Sequence, residues 1–253
     1  MNKYGKIEEL IDLVDISNDI VIFTGAGVSA ESGIPTYRGK GGYWNKYDPN
    51  KYANIDYFYK DPSYYWSFFK EVRSPVLQSA RPNIAHKSIA DLENTEKIRS
   101  LITQNIDGLH QVAGSKNIIE LHGNTRIFEC LKCKKKFTLD NVNTLLESKL
   151  PPECSECGSL IRPGVIFFGE VLDSEVLSMA EKNTLEADLF IAVGSSLVVQ
   201  PAASLPLIAK NNGAKFAIIN IDPTPLDSMA DCVINISASE VLSKIAQEII
   251  KSG

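Results

Sequence analysis

Ile7, Leu10, Ile11 and Val14 fall at helical spacing between acidic residues and predict an amphipathic helix near the start of the chain. Ile20-Val21-Ile22-Phe23-Thr24 follows as an apolar, β-branched run stopped by glycine, the pattern of a buried strand. Similar runs recur at 98–103, 188–193, 216–221 and 232–236, with helix-compatible segments between several of them. Strands alternating with helices predict an α/β fold: a Rossmann-like parallel sheet with helices on both faces.

Two stretches break the alternation. Residues from about 40 to 78 are rich in tyrosine, tryptophan and phenylalanine, and Asp61-Pro62-Ser63 predicts a helix start among them. Residues from about 125 to 162 hold two close pairs of cysteines around a polar middle. Both are assigned to a smaller inserted lobe, made of a helical module at about 39–81 and a ribbon at about 125–162. The larger lobe takes about 1–38, 82–124 and 163–253, and the whole is one catalytic domain.

Composition narrows the class. Of 253 residues, 44% are hydrophobic and 23% charged, as in an ordinary globular domain. No stretch reaches the roughly 18 consecutive apolar residues of a membrane span, and no apolar leader precedes Ile11, so the expected location is the cytoplasm. A net charge of −5 argues against direct nucleic-acid binding, which needs a cationic face.

Gly25-Ala26-Gly27-Val28-Ser29-Ala30 follows the first strand and satisfies the glycine pattern that lets backbone N–H groups approach a pyrophosphate. The same turn also serves α/β proteins that bind no dinucleotide. No second strand ending in an acidic residue follows, as it would in a dehydrogenase. Instead the helix that the glycine turn opens is cut short by Gly33-Ile34-Pro35, and Thr36-Tyr37-Arg38-Gly39 to Trp44 reads as a glycine-hinged loop able to close over a bound cofactor. Gln104-Asn105-Ile106-Asp107 stands where the strand at 98–103 should end, either as a polar site or as a turn with Asp107 capping a helix. His122, in Leu121-His122-Gly123, suits proton abstraction near pH 7, although a lone histidine is more often structural. His86 is read as structural and His110 as at most a support behind the site.

Cys130-x2-Cys133 and Cys154-x2-Cys157, separated by 20 residues, have zinc-ribbon spacing and offer four thiolates to one tetrahedral ion. A dithiol or an iron–sulfur site are the alternatives. Four sulfurs leave no open position for water, so the zinc is expected to be structural. Cys232 stands apart and reads as a small buried apolar residue.

The run from Gly25 through Glu31, Ser32 and Gly33 to Gly39 resembles the cofactor signature of the sirtuin, or silent-information-regulator, family, with Tyr37 where many members have phenylalanine. Gln104-Asn105-x-Asp107 and Leu121-His122-Gly123 extend the resemblance, which covers nearly the whole chain. It implies NAD bound by Gly25, Ala26, Gly27, Ser29, Glu31 and the segment Thr36, Tyr37, Arg38 and Trp44. Gln104, Asn105, Asp107 and His122 would line the nicotinamide-ribose pocket. Gly194-Ser195-Ser196, Asn220 and Asp222 would meet the ribose and phosphate groups, and Ala238 the adenine. The implied partner is an acyl-lysine protein bound as an extended peptide against Val165, Ile166, Phe167, Phe168, Gly169 and Glu170, by strand addition.

The implied activity is NAD-dependent protein-lysine deacylation, with deacetylation foremost. The acyl oxygen attacks the ribose carbon bearing nicotinamide, nicotinamide leaves, and His122 acts as base on the ribose hydroxyls while Asn105 and Asp107 assist. The products are lysine, nicotinamide and O-acyl-ADP-ribose. Protein mono-ADP-ribosyl transfer from the same pocket, or NAD sensing without catalysis, are the competing readings. Relatives that prefer succinyl or malonyl lysine carry a Tyr-x-x-Arg pair on a small-lobe helix. Aligned on Pro62 and Trp66, this chain has Phe69 and Val72 there, so neutral acyl groups are expected against those two side chains. Arg73 lies one residue further, aimed at another face unless the helix is locally shifted.

Overall fold

The computed structural model describes residues 3–39 and 41–252; Lys40, with which the aromatic-rich stretch begins, lies outside them, as do Met1, Asn2 and Gly253 at the outer bounds of the larger lobe. Nine strands occur among the described residues. In chain order they are β1 (Ile20–Thr24), β2 (Ile98–Thr103), β3 (Ile118–Glu120), β4 (Gly123–Cys130), β5 (Lys136–Thr138), β6 (Ile161–Val165), β7 (Leu189–Val193), β8 (Lys215–Ile219) and β9 (Cys232–Ile234). Six form one sheet in the order β3-β2-β1-β7-β8-β9, parallel throughout.

All five residues of β1 are buried. Ile20 and Ile22 pack with Leu10, Ile89 and Ile245 from helices Lys3–Ile16, Ile84–Glu93 and Ala238–Ser252. Val21 and Phe23 point the other way, to Ala180 and Leu205 of helices Ser174–Leu185 and Leu205–Asn211. Helices on both faces leave the strand no polar side, which is why its signal is a continuous apolar run rather than an alternation.

Three strands are shorter than their apolar runs. Asp188 stays outside β7, where its carboxylate accepts the backbone N–H groups of Asn18 and Asp19 at 2.8 and 3.2 Å. Asn220 and Ile221 leave the sheet after β8, and β9 stops at Ile234. β3 offers only Ile118 and Ile119 before Glu120, too short an apolar run for the sequence pattern to register.

The second sheet, β5-β4-β6, is antiparallel. It shares a core with the aromatic stretch, in which Phe58, Trp66, Phe69 and Phe128 have no appreciable exposed surface. Asp61 accepts the Ser63 N–H at 3.1 Å and starts the helix Pro62–Phe68 as the sequence predicts. The next turn, Phe69–Arg73, is π-helical.

Candidate active site

In the large sheet the connections run one way from β1 to β2 and the other way from β7 to β8, so the crevice between the carboxyl ends of β1 and β7 is the switch point at which such sheets bind ligands. Two glycine turns close on each other there. Gly25 N–H donates to Val193 O at 3.0 Å and Gly27 N–H to Gly194 O at 2.8 Å. A Cβ on Gly27 would stand 2.8 Å from Gly194 Cα, and Gly194 has a φ of +61° with a Cβ position 2.5 Å from Val28 N. Glycine is required at both positions by contact, and at Gly194 by conformation as well. The turn that follows, Ala26–Ser32, is 3-10 rather than α-helical and ends at Gly33, φ +82°.

These turns open onto a cavity of about 760 Å³, within the usual range of small-molecule sites. Gly25, Ala26, Gly27 and Glu31 line it, with Thr36, Tyr37, Arg38 and Trp44 of the glycine-hinged segment. Across from them stand Gln104, Asn105 and His122, then Gly194, Ser195 and Ser196, then Asn220, Asp222 and Ala238. Residues 91 and 80 positions apart meet directly: Gln104 Nε2 donates to Ser195 Oγ at 2.8 Å, and Asn105 Nδ2 donates to Gly25 O at 3.0 Å.

Ser29 and Asp107 do not line this cavity; both border a small adjoining pocket of about 30 Å³. Ser29 Oγ donates to Asp107 Oδ2 at 2.7 Å, while Asp107 Oδ1 accepts the Leu109 N–H at 2.8 Å. Asp107 therefore serves as the turn cap and as the anchor for Ser29 at once. His86 is wholly buried and accepts no role at the cavity; its backbone N–H bonds the Asn83 side chain at 3.3 Å to start a helix. His110, also buried, meets Thr24 Oγ1 at 3.0 Å beneath the site, and burial pushes its pKa down to about 3.

His122 follows β3, which pairs with the end of β2 and so brings the histidine beside Gln104. Its Nδ1 lies 3.1 Å from Gln104 O. Burial lowers its pKa, and the Gln104 carbonyl opposes that in part.

Val165 through Glu170 run along the other wall. The N–H groups of Ile166, Phe167 and Phe168 are already committed, to His122 O, Glu170 Oε2 and Ala53 O. Val171, just beyond this stretch, is 90% exposed. Arg162 and Glu170 form a two-pronged ion pair with both bonds at 2.9 Å, which holds that edge.

Phe69 and Val72, expected against the acyl chain, do not line the cavity. Phe69 is buried against Tyr65, Trp66 and Phe128. Arg73 and Tyr65 are at the wall instead. For Val72 and Arg73 the π-turn that begins at Phe69 is the reason, since it changes the angular position of the side chains after it relative to a regular helix. The sequence lets Arg73 reach the site only if the helix is locally shifted; Tyr65, Ile106 and Val171 carry no sequence signal of their own.

The four paired cysteines gather in the small sheet with every Sγ within 4.8 Å of the others. Cys130 and Cys157 sulfurs are 3.4 Å apart, Cys133 and Cys154 sulfurs 3.6 Å. Zn–S bonds of about 2.3 Å in a tetrahedron put sulfurs about 3.8 Å apart, so the donor set fits one zinc ion. Each knuckle closes alike: Lys134 N–H bonds Cys130 O, Gly158 N–H bonds Cys154 O, and both residues take positive φ. Cys232 lies apart, buried beside Lys6 O.

A model of the Sir2 family matches residues 25–201. The chain is 44% identical to NAD-dependent protein deacylase 1 of Archaeoglobus fulgidus, over 97% of this chain and 98% of that one. It is 46% identical to the NAD-dependent protein deacetylase of Thermotoga maritima, over 96% and 98%. A solved Sir2 structure with a deacetylated p53 peptide and 3′-O-acetyl ADP-ribose superposes with a TM-score of 0.90 at 44% identity, covering 98% of each chain.

Proposed function

The chain belongs to the Sir2 family, and on that premise we propose that His122 is the general base of its reaction, acting at the nicotinamide-ribose end of the cavity. The activity is NAD-dependent deacylation of protein lysine, with the acyl group passed to ADP-ribose and nicotinamide released. The observation that carries the assignment of the base is the bond from His122 to Gln104 O. A carbonyl oxygen only accepts, so Nδ1 holds the hydrogen and Nε2 is the basic nitrogen, with no partner among the described residues.

NAD supplies the electrophilic ribose carbon and the nicotinamide leaving group. The residues proposed to hold it are Gly25, Ala26, Gly27, Glu31, Thr36, Tyr37, Arg38 and Trp44 from the first strand onward, and Gly194, Ser195, Ser196, Asn220, Asp222 and Ala238 from the later ones. The tight backbone approach of the two glycine turns favours this, since it keeps Cβ atoms off the wall and lets a ligand come close to the backbone. Gln104 and Asn105 present fixed amide dipoles where positive charge would develop. Ser29 and Asp107 act from behind, through Asn105, whose Nδ2 also reaches Ser29 Oγ at 3.2 Å. Val165 to Glu170 would receive an acyl-lysine peptide, and the four cysteines one structural zinc.

Our division into a larger lobe (about 1–38, 82–124, 163–253) and a smaller one (about 39–81, 125–162) puts the cavity where the two meet. No helix among the described residues is long and apolar enough to cross a membrane. We propose a cytoplasmic location and no direct nucleic-acid partner, in keeping with the acidic net charge. Incubating the protein with NAD and an acetyl-lysine peptide, and following products by mass spectrometry, tests the function: O-acetyl-ADP-ribose is expected, and a modified protein without it would favour ADP-ribosyl transfer.

A further inference from the structure

The segment Thr36–Trp44 is tied mainly to itself. Tyr43 N–H bonds Thr36 O at 2.9 Å and Trp44 N–H bonds Tyr37 O at 3.0 Å, which closes the loop, while Gly39 and Gly41 turn its tip with positive φ. Apart from Lys40, these residues are joined to one another, and the angle of the segment over the cavity depends on what its side chains grip elsewhere. Tyr37 supplies one grip: its hydroxyl accepts from Arg73 Nη2 at 2.8 Å. The guanidinium carbon stands 5.6 Å from the Tyr37 ring centroid and 5.6 Å from that of Phe68, and Tyr43 meets Phe68 edge-on at 5.6 Å.

We propose that Arg73 is a positioning residue for the reaction, which holds Tyr37, and through it Arg38 and Trp44, over the NAD end of the cavity. The inference rests on the reading of this cavity as an NAD site. Arg73 has no carboxylate partner in an ion pair among the described residues, so the phenol oxygen and two aromatic faces are its environment. A guanidinium stays charged there, and its planar fork makes the bond directional as an ammonium would not. The π-turn Phe69–Arg73 delivers it: without the wider turn the side chain would leave the helix at a different angle. With the link intact the loop is pre-ordered; without it, NAD binding must also order the loop.

The test uses the full-length chain as Tyr37→Phe, which removes one hydroxyl, Arg73→Met, Arg73→Lys and the double variant Tyr37→Phe with Arg73→Met. Each of Tyr37→Phe and Arg73→Met should raise KM for NAD roughly three- to tenfold, the range of one ordinary intramolecular hydrogen bond, with kcat changed less than about twofold. The double variant should be no worse than the more affected single one, because both remove the same link. Arg73→Lys should fall between wild type and Arg73→Met. The Trp44 ring lies tilted against that of Tyr37, centroids 5.1 Å apart, whereas Trp66 is fully buried, so acrylamide quenching of tryptophan fluorescence should rise in the variants with weakened links. Effects on KM that multiply in the double variant would overturn the proposal. So would a Tyr37→Phe protein with unchanged KM and quenching, or variants that lose thermal stability alone. Failure of the NAD-site reading looks different: the wild type itself would release no nicotinamide.

Discussion

His122 Nδ1 stands 3.1 Å from the backbone carbonyl oxygen of Gln104, a contact that sets the tautomer of the histidine and opposes in part the fall in its pKa caused by burial. Its basic form is the neutral imidazole, and burial keeps that form populated below the ordinary histidine pKa of about 6.5. Deacylation should therefore hold constant above about pH 6.5 and fall only as pH drops through a lower value. His122→Ala should lose deacylation by at least about 100-fold, the usual share of a positioned base, with NAD affinity nearly unchanged. Initial rates from pH 4.5 to 8 and NAD titration of the variant check this. Unchanged turnover in the variant would remove His122 from its role.

Burial lowers the pKa of His86 and His110 too, the latter to about 3. For each, the unfolded chain binds a proton below about pH 6.5 that the folded chain refuses until lower pH. This contribution to stability is fully present above about pH 6.5 and is lost as pH falls, by up to about 1.4 kcal/mol per pH unit for each histidine well inside that window. Urea midpoints at pH 7.5, 6 and 5 should decline, and less steeply in a folded His110→Gln variant. A flat series between pH 7.5 and 5 would contradict the reading.

The zinc ribbon should be a matter of folding rather than chemistry. Four thiolates close the coordination sphere, and metal binding there is part of the folding free energy. Metal analysis should return about one zinc per chain, from the four-ligand set. Cys130→Ala and Cys157→Ala should lose zinc and melt earlier, in step with loss of the small sheet. A stable, fully active, zinc-free wild type would refute this.

Arg73 at the cavity wall alters the expectation for the acyl group. A buried carboxylate without a cation is costly, and a guanidinium within reach reduces that cost. Arg73→Met should then lower kcat/KM on a succinyl-lysine peptide about tenfold more than on the matched acetyl peptide, as for loss of one charge-assisted bond. The ratio cancels any common effect on NAD binding. Equal losses on both peptides would mean that Arg73 does not reach the acyl end, leaving the neutral preference to stand.

Much of this protein was legible locally. The buried run of β1, the glycine turn after it and the cysteine spacing each depend on a few neighbouring residues and on backbone conformation, and those rules are short-range. The same rules were silent on β3, whose three residues matter because pairing with β2 carries His122 to Gln104. They offered Asp107 as a turn cap, which the fold bears out at Leu109 N–H, while the family resemblance placed it at the nicotinamide-ribose pocket; its other oxygen takes the Ser29 hydroxyl beside the small adjoining pocket.

By itself the sequence determined the alternation of strands and helices, the position of the glycine turn and the family's polar residues, because periodicity and motif spacing are properties of the chain. Only the tertiary structure decided which residues share a wall. Gln104 meets Ser195 because sheet order sets β2 and β7 on either side of β1. Arg73 rather than Val72 reaches the cavity because one π-turn redirects the side chains that follow it, and a helix turns about 100° for each residue. No spacing rule that assumes a regular helix can anticipate that rotation.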